Sequence, residues 1–174
     1  MIPSAALRQV LPIPAPKGRL FLTAMPGRYG AVEDFATAIA AAGVGHVLCL
    51  TSAAEIAAKS PAYALALGQR GIPAAFNAFP VEDFSVPDDA AAFAAWLAAA
   101  ASLLRGGEHV ALHCAAGIGR TGTAALCLLA LLGVPDATAA EAVHAAGSGP
   151  ETEAQRDFVR RFVAAQSPGR TPAA

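Results

Sequence analysis

In HCAAGIGRTG, residues 113–122, a thiol and a guanidinium stand six positions apart with two glycines between them. A thiolate is a strong nucleophile, and a cysteine that ends a strand and faces a helix N-terminus is expected to have a lowered pKa. Gly117 and Gly119 permit backbone angles that a β-carbon resists. The short loop Ala115-Ala116-Gly117-Ile118-Gly119 can therefore turn successive N–H groups inward, as a nest for a tetrahedral oxyanion. Arg120 closes the loop with a planar fork that can hold two phosphate oxygens at once, which lysine cannot do. Thr121 follows, where its hydroxyl is expected to reach back to the cysteine sulfur. A phosphoryl group has three oxygens to cradle and one face to attack. Amides 115–120 and the guanidinium would bind the oxygens while Cys114 sulfur approaches in line.

The leaving oxygen of a phosphate ester needs a proton, so an acid is expected on a loop near the thiol. FPVEDFSVPDD, residues 79–89, supplies four acids after a strand-like run. Asp88 and Asp89 fall in the first turn of the next helix, with Ser85 as its expected cap. Glu82 and Asp83 precede that cap and are free to project. The residues alone leave the choice between these two open.

These groups need a scaffold. Residues 19–25, 46–51, 74–80 and 108–114 read as strands. Residues 32–43, 53–71 (broken near Pro61), 88–106, 120–133, 136–146 and 152–166 read as helices. The alternation predicts an α/β fold, three-layered α-β-α with a central, mostly parallel sheet. HCAAGIGRTG then joins a strand to a helix at the carboxyl end of the sheet, where ligands and anions sit in such folds. Residues 1–16 read as a Pro-rich lead-in, 17–166 as one domain and 167–174 as a disordered tail.

With 174 residues the chain is the size of one domain, and its formal net charge of -1 gives no basic footprint for nucleic acid. Three cysteines make no disulfide framework and fit a reducing compartment. The N-terminus is broken by prolines and lacks the apolar run of a signal peptide. The apolar stretches 90–104 and 123–134 are short for a membrane span. A cytoplasmic protein that does not engage a membrane is expected. Cys127 lies in an apolar helix and reads as core. His46, His109 and His144 have no metal-ligand spacing, and no metal or other cofactor is expected. Oligomeric state leaves no signal in the sequence.

The pattern H-C-x-x-G-x-x-R-[ST]-G is matched at every fixed position by His113, Cys114, Gly117, Arg120, Thr121 and Gly122. On these residues the chain resembles the cysteine-dependent protein tyrosine phosphatase superfamily, in its small dual-specificity, kinase-associated-phosphatase-like branch. A rhodanese-type sulfurtransferase also uses a cysteine loop but would not require the His-Cys start or the Arg-Thr-Gly end. The resemblance covers about residues 19–165. LFLTAMPG is similar to the branch's opening strand and turn. PVEDFSVP is similar to its P-I-x-D-x-x-x-P loop, and this likeness makes Asp83 the acid. GSGPETEAQRDFV is similar to its late loop and helix. It lands on Gln155, implying a role in positioning the hydrolytic water, although Thr152-x-x-Gln155 is also a capping box. The resemblance implies that His113 hydrogen-bonds near the cysteine backbone and is no base. It also implies that Cys49 either bonds an oxidised Cys114, as in some relatives, or is simply buried.

The implied activity is phosphomonoester hydrolysis through a cysteinyl phosphate, without a metal. Protein phosphotyrosine or phosphoserine/threonine is the first expected substrate and a small phosphoester the second. The loop interior (Ala115, Ala116, Ile118) carries no lysine, which weighs against polyphosphorylated inositides. A phosphate-recognising module without turnover is the alternative, disfavoured by the presence of both Cys114 and Asp83.

Overall fold

A computed structural model of the chain describes residues 5–11 and 17–166. Its strands are β1 (Arg8–Gln9), β2 (Leu20–Thr23), β3 (Val44–Cys49), β4 (Ala75–Ala78) and β5 (His109–His113). They form one sheet in the order β1-β2-β5-β3-β4. β5, the strand that delivers Cys114, is central and pairs in parallel with β2 and β3. β4 is parallel to β3, and β1 alone is antiparallel, along β2.

Among the described residues seven helices cover the sheet: α1 (Val32–Ala41), α2 (Ala53–Lys59), α3 (Pro61–Gly68), α4 (Ala90–Gly106), α5 (Gly119–Leu131), α6 (Asp136–Ala145) and α7 (Glu153–Gln166). Side chains alternate across a strand, and β5 serves both faces. Val110 and Leu112 enter the larger core with α4, α5, α6 and α7, while Ala111 enters the core formed with α1, α2 and α3. The three-layer α/β fold expected from the sequence is the fold observed.

Two local features depart from the expectations and one meets them. Within the lead-in, residues 8–9 form a strand, with Arg8 opposite Leu22 and Gln9 opposite Phe21. Residues 1–4 and 12–16 of the lead-in and the tail at 167–174 lie outside the described residues. The break expected near Pro61 is present: two helices meet at Ser60, whose Oγ accepts the Tyr63 N–H at 3.3 Å, and Pro61 is the first residue of the second. Proline suits that first position because its missing N–H is one the helix start cannot use. The cap of α4 is Asp89, not Ser85: its Oδ1 accepts from Ala92 N at 2.9 Å.

The segment bearing the candidate acid is fixed at its base by rings. Phe79 meets Phe93 of α4 edge to face with centroids 5.2 Å apart, and Phe93 meets Phe158 of α7 at 5.8 Å. Among the described residues no helix is long and apolar enough to cross a membrane.

Candidate active site

β5 ends at His113 and α5 begins at Gly119, so the loop between them is as short as the sequence implied. Cys114 lies at its base, 2% exposed. Gly117 takes φ +72°, in the left-handed region, and its N–H donates to Cys114 Sγ at 3.3 Å. No other residue fits there, because a β-carbon at Gly117 would collide with the Thr23 carbonyl at the end of β2. The loop is backed by residues 147–149. Ser148 Oγ donates to Ile118 O at 2.9 Å, and a β-carbon at Gly122 would run into the backbone of Gly149.

Arg120 points from the first turn of α5 into a shell of acceptors. Nη1 donates to Glu55 Oε2 at 2.8 Å and to Val81 O at 2.9 Å, and Nη2 donates to Glu55 Oε1 at 2.9 Å. The pairing with Glu55 is bidentate, the stronger geometry for a guanidinium and a carboxylate. Asp83 Oδ1 also lies 2.9 Å from Nη2, and Lys59 Nζ reaches Glu55 Oε1 at 2.7 Å and Asp83 Oδ2 at 3.2 Å. Of the two acids left open, it is Asp83 that reaches the arginine. Its side chain is 49% exposed, against 2% for Arg120, so it stands at the mouth and not in the core. The Arg120 hydrogen bonds hold the Glu55 carboxyl at about 2, against an ordinary 4.5, despite partial burial. Burial opposes the Arg120 charge, but Glu55 and the neighbouring Cys114 and Asp83 outweigh it and raise the pKa. Ser52, Glu55, Glu82, Asp83 and Asp88 line an open cleft of about 480 Å³ beside these groups.

The acid loop is tied to α7. Gln155 Nε2 donates to Ser85 O at 3.1 Å and Thr152 Oγ1 to Phe84 O at 3.3 Å, holding Phe84 at φ +60°, uncommon for a residue with a side chain. Gln155 is wholly buried and forms the capping box as well: its Oε1 accepts Thr152 N at 3.3 Å and its own N donates to Thr152 Oγ1 at 3.2 Å. Its side-chain amide is thus engaged with protein groups at both ends. Thr121 differs from the expectation. Its Oγ1 is buried without a hydrogen-bond partner, and the Gly117 amide is the donor on the sulfur. Gly119 N–H donates to Glu151 Oε2 at 2.9 Å, so a carboxylate from the 147–151 segment already sits at one amide of the expected nest.

His113 is buried at the strand end, with Nδ1 3.0 Å from Cys114 O and Nε2 3.1 Å from the Tyr63 hydroxyl. Burial disfavours its charged form, but Cys49 beside it on β3 and the Cys114 carbonyl outweigh that and raise its pKa. Burial pushes the Tyr63 phenol up, which keeps it a donor. Cys49 Sγ lies 3.1 Å from Thr51 Oγ1. Cys49, Cys114 and Cys127 are all buried free thiols, and burial pushes the Cys127 thiol up.

Glu55, Lys59, Glu151 and Arg8 were not singled out in the sequence. Ser52-x-x-Glu55 does carry a signal, and Glu55 N donates to Ser52 Oγ at 3.1 Å, but the pattern reads as a helix start. Glu55-x-x-x-Lys59 reads as an ordinary helix-surface pair. The carboxylate reaches an arginine 65 positions away, which no local pattern reports. Arg8 Nη2 donates to Gly117 O at 3.1 Å and Nη1 to Gly147 O at 3.0 Å, from a segment read as lead-in.

Comparisons agree with this fold. Residues 21–167 match the family model described as Swiss Army Knife protein, DSP-PTPase phosphatase domain. Among curated proteins none matches the sequence. The fold is similar to a kinase associated phosphatase whose catalytic site cysteine is replaced by serine. The TM-score is 0.76 at 18% identity, over 95% of this chain and 98% of that one. It is also similar to PTPMT1 in complex with PI(5)P (TM-score 0.63, 15% identity, 84% and 91% covered). A third neighbour is the human tyrosine phosphatase-like serine/threonine/tyrosine-interacting protein (TM-score 0.67, 16% identity, 91% and 96% covered).

Proposed function

Because the chain belongs to the Swiss Army Knife family of DSP-PTPase phosphatase domains, we propose that it hydrolyses phosphomonoesters of protein side chains through a cysteinyl phosphate on Cys114. The Cys114 thiolate attacks phosphorus, an S–P bond forms and the ester P–O bond breaks. Asp83 gives its proton to the leaving oxygen. Water then attacks phosphorus, Asp83 takes the water proton, and the S–P bond breaks to return thiolate and inorganic phosphate. Arg120 and the amides of residues 115–120 carry the equatorial oxygens. The unpartnered Thr121 hydroxyl is free to donate to the departing sulfur, and His113 holds the Cys114 backbone through its carbonyl. Gln155 can orient the hydrolytic water only after its Nε2 leaves Ser85 O, and until then it steadies the acid loop.

The observation that carries this reading is the shared guanidinium. Arg120 lies in the first turn of the helix that follows the Cys114 loop and meets Asp83 at 2.9 Å, which supports a site where nucleophile, phosphate ligand and acid work together. The kinase associated phosphatase neighbour is described as having a catalytic site cysteine, which supports the same role for Cys114. A protein phosphoester is favoured over a polyphosphorylated lipid because Glu82, Asp83 and Asp88 line the cleft and would repel further phosphates. PTPMT1, a fold neighbour, does bind PI(5)P, so phosphoinositides belong in the substrate panel.

The test is turnover of para-nitrophenyl phosphate by the whole chain and by Cys114→Ser. Turnover is expected in the first and background hydrolysis alone in the second. Activity retained by Cys114→Ser sinks the mechanism.

A further inference from the structure

The guanidinium of Arg8 is a second cation at the β5–α5 loop, on the side away from the acids. Its strand is firmly seated on β2: besides the β1 register, Val10 N donates to Leu20 O at 2.9 Å and Thr23 Oγ1 to Ala5 O at 3.2 Å. From there the side chain spreads its fork over two loops. One arm holds Gly117 O and the other Gly147 O, with Nε buried and unpartnered. Gly147 is at φ +68°, and a β-carbon there would crowd the arginine's Nη1 at 2.6 Å. The arginine thus bolts the loop to the segment that backs it.

A trans peptide plane points its C=O and the next N–H in opposite directions. With Gly117 O turned out to Arg8, the Ile118 N–H of the same plane is turned the other way. Across a left-handed residue such as Gly117 successive N–H groups can point to one side, and Gly117 N–H meets the sulfur. Two successive inward amides across a left-handed residue are the makings of an anion nest. Without a donor outside, this glycine-flanked plane is free to rotate and present its carbonyl to an incoming anion. We propose that Arg8 is a positioning residue for phosphate binding, fixing the Gly117–Ile118 peptide so that the Ile118 N–H faces the phosphoryl oxygens. The position of its charge agrees: burial lowers the Arg8 pKa, while the nearby Cys114 charge works to raise it.

This inference rests on the phosphatase reading for its purpose, but its test needs no turnover. Tungstate affinity is measured by calorimetry on the whole chain, Arg8→Met and Arg8→Lys, and the Ile118 amide proton is followed by NMR as tungstate is added. In the wild type the Ile118 proton is expected to move downfield. In Arg8→Met that shift is expected to vanish and affinity to fall about tenfold or more, the loss of one hydrogen bond to a charged group. Arg8→Lys, a single donor that cannot bridge two carbonyls, should fall between. Arg8→Met that binds tungstate within twofold of wild type, with Ile118 shifting as before, overturns the proposal. Should Arg8→Met not fold, Arg8→Lys decides: wild-type affinity with the wild-type Ile118 shift overturns it, and a weakened, partial response supports it. A wild type inert on the ester, yet binding tungstate through Ile118, fails the phosphatase reading and upholds the brace.

Discussion

Arg120 and Arg8 stand on opposite sides of one loop, and they are held by different kinds of acceptor. Around Arg120 the partners are mostly side chains: Glu55 and Asp83, with a single carbonyl, Val81 O. Around Arg8 both partners are backbone carbonyls, Gly117 O and Gly147 O. A side-chain carboxylate at the mouth can rotate away and be replaced by a phosphate dianion. A carbonyl within an ordered loop cannot leave without rebuilding the loop. The same functional group therefore serves as an exchangeable ligand on one side and as a fixture on the other. The acceptor decides which, not the arginine.

The difference can be broken most directly at Arg120. Arg120→Lys keeps the charge and loses the fork, and kcat/KM on para-nitrophenyl phosphate should drop about 100- to 1,000-fold, as for removal of an oxyanion donor. A loss below that expected for Arg8→Met would erase the distinction between the two sides.

Glu55→Gln sharpens it, because Glu55, 17% exposed against 49% for Asp83, is the more enclosed of the two carboxylates on Arg120. Loosening Arg120 should cost about tenfold in kcat/KM and about 1–3 kcal/mol of stability at neutral pH. The pH dependence has a definite sign. Glu55 titrates lower in the folded chain, near 2 against an ordinary 4.5, so its stabilisation is complete above 4.5 and is lost as pH falls toward 2. The Tm gap between wild type and Glu55→Gln should be widest near neutrality and close over that window. A gap of constant size from pH 6 to pH 2.5 would show that Glu55 does not act through its charge.

The smallest effect is expected at Gly119, where Glu151 occupies an amide of the proposed phosphate nest. Glu151→Gln should lower KM roughly twofold with kcat unchanged, the scale of an exposed charge contact, and more at low ionic strength than at high. Saturation curves at two salt concentrations would check this, and an unchanged KM in both would remove Glu151 from the phosphate's path.

The two sides also differ in how far the sequence reveals them. Cys114, Gly117 and Arg120 lie within seven residues, and a strand-loop-helix period frames them, so local pattern carried both the sheet and the loop. Asp83 needed the likeness to a known loop, since residue type alone did not separate it from Glu82. Glu55 and Arg8 were out of reach for a physical reason. Each meets the loop through tertiary approach, Glu55 from a helix start and Arg8 from an edge strand of two residues, too short to produce an alternation. The Ser85 cap failed because α4 begins at Ala90, which puts Asp89 and not Ser85 at the cap position. The Thr121 hydroxyl has no partner in the structure, and its reach to the sulfur depends on how α5 is rotated above the loop, which spacing does not record.

The bonds of Arg8 to Gly117 and Gly147 close intervals of 109 and 139 residues. Contacts of such separation need a loop closure that the pairing of β2 with β5 must make first. An early segment of the chain waits for the last-made third before its side chain finds any acceptor. A molecule could thus complete its sheet, bury its thiol and seat Arg120 while the proposed anion nest stays unset. Oxyanion affinity then doubles as a stringent report of native completeness, falling in partly assembled chains before helix content or core fluorescence changes.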